Sequence, residues 1–306
     1  MHWLAEGPRG RRLLWELLAK AGHHLAGETP SADTLRAAVA GSLSADGWSE
    51  QDVTRAVADS VSWARYWQEP DETDLALNAL CDLLAQAANR VPVPDWWQGP
   101  FARDEQVLVL WEGPTPSLIG AAAKLRAWHA DALADERRAL VERPTDLTVN
   151  WSGRWWSTPA MSGLPVTSRR VPGLTWVEDD LGWNSAKLLP VIPRTDARVL
   201  EVHAPADWVR LVTTYPLEVS ASRRQDWWRA TGARAPLYMP DFQAIARDWD
   251  GVHVSTRGYL TTATRALPVS DGCTVLGGWN PDQTWWLTDC LQPTGTAVQH
   301  ARAEWT

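Results

Sequence analysis

The chain has 306 residues, with 29 Lys and Arg against 37 Asp and Glu and a formal net charge of −8. That length can build one large or two ordinary domains around a sizeable core, so neither metal nor disulfide is needed to hold it. The acidic balance opposes general attachment to nucleic acid. Three cysteines, Cys81, Cys273 and Cys290, are odd in number and lack zinc-ligand spacing, which suits a reducing compartment. No apolar run is long enough for a bilayer, so a cytoplasmic protein with no membrane contact is expected.

The opening "MHWLAEGPRGRRLLWELL" has arginines before an apolar stretch. Glu16 interrupts it and no small-residue cleavage site follows, so a helix over 11–25 is expected rather than a signal peptide. A second helix is expected from Thr29-Pro30 to about Leu43. The third starts at Ser49 as N-cap, with Asp52 three residues on and Trp48 placed to staple against Val53. The fourth follows Pro70 and stops before "VPVP". Residues 1–94 therefore read as a helical domain, and "VPVPDWWQGP" as a stiff connector.

Residues 95–145 carry a strand (106–111) and a long helix that could brace the two halves, its charges Asp131, Asp135, Glu136, Arg137 and Arg138 read as a solvated face. From residue 146 to 306 the texture turns to short β-favouring pieces: 148–156, 171–177, 186–192, 197–203, 250–256, 258–265, 273–279 and 283–288. Helices at 205–216 and 240–249 interrupt them, and "SRRQDWWR" (222–229) reads as a basic surface helix. The fold class expected is α+β, a helical region followed by a mainly antiparallel sheet.

Aromatic content is nearly all indole: 22 Trp against 4 Tyr and 2 Phe. Most can fill the core in place of Phe, but the Trp-Trp pairs at 96–97, 155–156, 227–228 and 285–286 point to opposite faces if they lie on strands, leaving one of each exposed or facing a site.

Three stretches could carry chemistry. In "WSGRWWSTPAMSG", Arg154, Ser157 and Thr158 with the rings of Trp155 and Trp156 could hold a phosphate or carboxylate beside a stacked planar group, or form a sheet rim and turn. In "RDWDGVHVSTRGYLTTATR", polar residues including His253 and Tyr259 alternate along an expected strand; His253 is either a hydrogen-bonded structural group or a base with a carboxylate near it in space. In "GGWNPDQTWWLTD", Asp282 sits among Trp279, Trp285 and Trp286, where desolvation would suit a general acid or a carboxylate steadying a cation on a sugar ring; the alternative is a hairpin turn. "VEDDLGW" (177–183) reads as a solvated loop. No Gly-rich phosphate loop, GxSxG elbow, HExxH or CxxC is present, and no metal site is expected.

The succession "RWWSTP", "ARVLEVHAPADWVRLVTTYP", "FQAIARDWDGVHVS" and "GWNPDQTWWL" is similar to that of actinobacterial and phage proteins. An early Arg with nearby Ser and Thr, a helix ending in "DWDGV" and a late acid resemble ADP-ribosyltransferase-like domains over residues 146–290. That resemblance implies NAD as substrate, Arg154 on its phosphates or ribose, Ser157 supporting the core, and Asp282 where the family has its catalytic Glu. The pattern departs from the family in that only two residues separate Arg154 from Ser157 and the late acid is Asp.

The leading expectation is an enzyme acting at a ribosyl carbon of a nucleotide such as NAD: Asp282, Arg154 and His253 catalytic, and Trp155, Trp156, Ser157, Thr158, Tyr259 and Trp285 binding the ligand. The rivals are a Trp-rich, immunity-like protein that binds a protein partner, and a binder of carbohydrate or aromatic metabolite. Indoles converging in a cleft favour a small ligand; indoles spread over a flat patch favour a partner.

Overall fold

Caps and chain breakers set most helix limits. The computed structural model describes residues 2–21, 30–44, 47–112, 116–169 and 174–302. Its N-terminal part is helical: α1 (Pro8–Ala21), α2 (Ala32–Ser44), α3 (Glu50–Ser62), α4 (Glu72–Ala79) and α5 (Cys81–Ala88). α1 begins ahead of the expected residue 11 because Pro8 is tolerated in a first turn; the expected end at residue 25 lies outside the described residues. Ser49 and Asp52 form the expected reciprocal cap of α3: Asp52 N–H donates to Ser49 Oγ at 3.2 Å, and Ser49 N–H to Asp52 Oδ2 at 3.0 Å. The expected fourth helix is two helices, broken at Leu80 (φ −107°).

The remainder alternates: β1 (Gln106–Trp111), α6 (Ala121–Glu142), β2 (Val166–Arg169), β3 (Ser185–Pro193), β4 (Val199–Val202), α7 (Pro205–Thr214), β5 (Pro216–Glu218), α8 (Arg224–Thr231), β6 (Tyr238–Pro240), α9 (Phe242–Ile245), β7 (Gly251–Val254), α10 (Thr256–Thr262), β8 (Leu267–Val269), β9 (Gly272–Thr274), β10 (Gln283–Trp286), β11 (Leu291–Pro293) and β12 (Val298–Ala301). The main sheet runs β11-β3-β1-β2-β10-β7-β4, with β12 also on β3. Every pairing in it is antiparallel except β4 with β7. The fold is α+β, as the sequence predicts.

Side chains override local propensity in two places, and two further expectations differ. Residues 148–156 form no strand, because α8 and its approach bind their backbone instead: Gly153 N–H donates to Asp226 Oδ2 (2.9 Å), Trp227 Nε1 donates to Trp155 O (2.6 Å) and Arg223 Nε to Trp156 O (3.2 Å). The expected strand 258–265 is largely helix α10. Ser255 caps it, accepting from Gly258 N–H at 3.0 Å, and Gly258 lies so close to Val202 O that a Cβ would sit 2.1 Å from it. The "surface" helix at 222–229 is largely inward, with Arg223, Gln225, Asp226 and Trp227 buried. Of the expected strand 171–177, residues 171–173 lie outside the described residues and 174–177 are not strand.

α6 also departs from expectation. Asp135 is buried rather than solvated and gathers Arg138 (2.7 Å), Arg143 (3.2 Å), Arg223 (3.5 Å) and Arg154 (3.7 Å). Glu136 accepts the backbone N–H groups of Ala221 (2.7 Å) and Ser222 (2.8 Å). The helix is bolted to the segment that leads into α8.

Buried apolar residues of the N-terminal helices and of one sheet face form a single cluster, from Leu13, Leu17 and Val57 to Val252, Val254 and Trp279. A smaller cluster under the other face holds Leu108, Val191, Trp286 and Leu291. Among the described residues no helix is long and apolar enough to cross a membrane.

Candidate functional site

Strand alternation distributes the chemistry of β10. Trp285 is level with Val252 of β7 and Val166 of β2, on the face of the larger cluster. Thr284 and Trp286 point the other way: Thr284 is level with His253, and Trp286 Nε1 donates to Thr167 Oγ1 at 2.8 Å. One indole of this pair therefore faces a cleft and the other closes a core, as the Trp-Trp argument requires.

On the Trp285 face two adjoining cavities, of about 290 and 300 Å3, share Trp111, Asn280 and Gln283 in their walls. Six tryptophans line them: Trp111, Trp155, Trp156, Trp176, Trp183 and Trp285. Trp111 stacks on Trp183 at 4.6 Å, and Trp155 meets Trp156 edge-on at 5.8 Å. The polar lining is Glu112, Thr158, Glu178, Asp179, Asn280 and Gln283 with Thr167 and Ser168, and among the described residues neither Lys nor Arg lines either cavity. Two buried polar atoms of lining residues, Thr158 Oγ1 and Trp285 Nε1, have no hydrogen-bond partner among the described residues.

Glu178 is the unexpected member. The loop 177–183, read as solvated, buries this carboxyl at 6 % exposure. Gly278 N–H donates to Oε2 at 2.6 Å, and the hydroxyls of Tyr66 and Tyr259 lie 2.7 and 2.8 Å from Oε1. Burial raises its pKa to about 8, against the pull of these hydrogen bonds. Tyr66 Oη is also 2.9 Å from Leu276 O, which can only accept. With Glu178 protonated, its O–H donates to Tyr66 and Tyr66 donates to Leu276 O, so every group is satisfied. Tyr66 in turn stacks on Trp155 at 5.0 Å with planes 4° apart, linking this acid to the cleft wall.

The second constellation lies across the sheet. His253 Nε2 is 3.3 Å from Asp282 Oδ1, and its Nδ1 is 3.7 Å from Glu201 Oε2; both His253 and Asp282 are buried. Arg169 closes on Asp282 with its backbone N–H at 3.3 Å and Nε at 3.4 Å. Burial opposes charge on His253, but Asp282 and Glu201 outweigh it and raise its pKa. Burial likewise raises the Glu201 carboxyl, yet His203 (2.9 Å) and His253 bring it down to about 2. The carboxylate that a catalytic His253 would need is thus present, and it is Asp282.

The sequence-predicted site residues separate accordingly. Trp155, Trp156, Thr158 and Trp285 line the cleft. Ser157 is buried behind it, its Oγ bonded to Gly277 N (3.0 Å) and O (3.2 Å). Tyr259 lies on α10, not a strand, and reaches the cleft through Glu178. Arg154 lines neither cavity and is paired with Asp131 and Asp135. Asp282 occupies the expected turn at φ +57°, and Trp279 and Trp286 around it are core residues. Sequence reasoning missed Trp111, Trp183, Asn280 and Glu178, which come from three separate segments, Glu178 and Trp183 sharing the loop 177–183; no local pattern joins the three. Among the described residues no group of three or more His, Cys, Asp or Glu is arranged to hold a metal ion. No protein-family model, curated protein or solved structure matches the chain.

Proposed function

We propose that the indole-lined cleft binds a small ring-bearing molecule without phosphate groups, a carbohydrate or an aromatic metabolite. The observation that carries this reading is the lining itself: six convergent tryptophans with carboxyl and amide groups and, among the described residues, no Lys or Arg. Indole faces stack on sugar or aromatic rings, while Glu178, Asn280, Gln283 and the unpaired Thr158 Oγ1 and Trp285 Nε1 supply orienting hydrogen bonds. A phosphate would meet Glu112 and Asp179, with no Lys or Arg among the described lining residues to offset them.

The test is titration of the protein with nucleosides, oligosaccharides, indole compounds and NAD, followed by intrinsic Trp fluorescence. Saturable quenching by an uncharged ring compound is expected, at least tenfold weaker in Trp285→Ala, with NAD binding less well than its nucleoside parts. Tighter binding of NAD would overturn the proposal, and silence across the panel would turn attention to a protein partner.

A second reading, transfer or hydrolysis at a ribosyl carbon, is favoured by the contact of His253 with Asp282. Against it stand the burial of both groups and the engagement of Arg154 by α6. Release of nicotinamide from NAD, lost in a folded Asp282→Asn variant, would establish it.

A further inference from the structure

A third cavity, of about 420 Å3, opens between the N-terminal helices and the turn after α10, away from the tryptophan cleft. Arg11, Arg65 and Arg265 line it from three segments of the chain. The acids in its wall are engaged or peripheral: Asp74 pairs with Arg9, Asp71 lies 3.1 Å from Arg12, and Glu6 and Glu69 are exposed at the rim. Among the described residues none of Arg11, Arg65 and Arg265 has a carboxylate within ion-pair distance.

Arg11 is the most telling of the three. It is 8 % exposed, yet among the described residues its guanidinium is satisfied only by neutral oxygens, Ala5 O (3.1 Å), Glu6 O (3.0 Å) and Asn78 Oδ1 (3.1 Å), and its Nε has no partner. Arg265 donates to Thr261 O at 2.8 Å, and Arg65 reaches only Gln68 while stacking on Trp63 at 4.8 Å. Burial, with Arg265 and Arg9 adding like charge, holds the Arg11 pKa below its ordinary value against the opposite pull of Cys81 and Asp74. A buried cation without a counter-charge is costly, and an anion between these guanidinium groups would remove that cost. The protein has a formal net charge of −8, so three unpaired arginines around one crevice run against its general electrostatics.

We propose that this cavity is an oxyanion site that holds the phosphate of a phosphorylated small molecule between Arg11, Arg65 and Arg265. Planar forked donors from three directions match the several oxygens of a phosphoryl group better than the two of a carboxylate. The volume leaves room for a small group beyond the phosphate.

The proposal is tested on the full chain by thermal denaturation with inorganic phosphate, pyrophosphate, citrate and sodium chloride at matched ionic strength. A saturable rise in Tm with phosphate, larger with pyrophosphate, is expected. Arg265→Gln should weaken the apparent Kd at least tenfold. Arg65→Gln, at an exposed position that leaves the fold intact, should weaken it as well. No saturable response to either phosphate, an equal response in both variants, or a response to citrate alone would each overturn it. The tryptophan cleft plays no part in this experiment.

Discussion

Glu178 concentrates the physics of the cleft in one carboxyl group. Its folded-state pKa of about 8 lies above the ordinary 4.5, so the native state keeps a proton that the unfolded chain releases. Between those values the native state binds more protons, and stability falls as pH rises; above about 8 the whole penalty is present. Glu178→Gln mimics the protonated acid and should flatten the decline of Tm between pH 5 and 8. His253, also raised, adds a decline that begins near its ordinary 6.5, so a residual slope should survive at the upper end. A variant with the wild-type slope between pH 5 and 6 would show that Glu178 ionises freely in the fold. The acid at the cleft wall is therefore neutral at neutral pH, its one proton held by Tyr66, which suits an uncharged ligand.

At the scale of elements, α6 is held by charge as much as by apolar packing. Asp135 lies within 4.0 Å of four arginines, two of which, Arg143 and Arg223, themselves bond Ser222 O. Removing its charge leaves Arg223, buried and already lowered to about 10 by desolvation, facing Arg154 and Arg143 with only the weaker influence of Glu136 to offset them. Asp135→Asn should therefore cost about 3 kcal/mol of stability, by the usual penalty for breaking a buried pair from one side. Urea denaturation measures this, and a loss below about 1 kcal/mol would mean that the arginines find water instead. Asp131→Asn, on an exposed partner of Arg154, should cost far less. Because α8 and its approach carry the backbone of residues 153–156, slackening of this cluster should also disturb Trp155 and Trp156 in the cleft wall.

Across the whole molecule the N-terminal helices and the sheet share one core, and their seam is tight at Gly7. A Cβ there would sit 2.2 Å from Leu260 O and 2.6 Å from Thr261 Cα, both backbone atoms of α10 that cannot move alone. Gly7→Ala should cost about 2 kcal/mol or more through overpacking. Because the apolar cluster is continuous, the loss should appear as one earlier cooperative transition in both far-ultraviolet circular dichroism and Trp fluorescence. Two separated transitions would mean that the halves melt independently. The same seam carries Tyr66, whose hydroxyl reaches Glu178 and Leu276 O, so the helical region supplies part of the cleft's hydrogen bonding.

Local chemistry was enough to read the Ser49 cap, β1, β7 and β10, and the α+β class, because a reciprocal cap and short β-branched or aromatic runs state their structure within a few residues. The turn at Asp282 and the outward Trp285 were legible for the same reason: turn formers and a period of two act locally. Partners distant in sequence decided the rest. Residues 148–156 look like a strand until α8 takes their backbone groups, and 258–265 until the cap at Ser255 and the close approach of Gly258 to Val202 select a helix. Burial of a single acid from "VEDDLGW", or of Arg11 without a counter-charge, is set by what packs over it. Such desolvation is a property of the assembled structure, and so the two candidate sites emerge only in the fold.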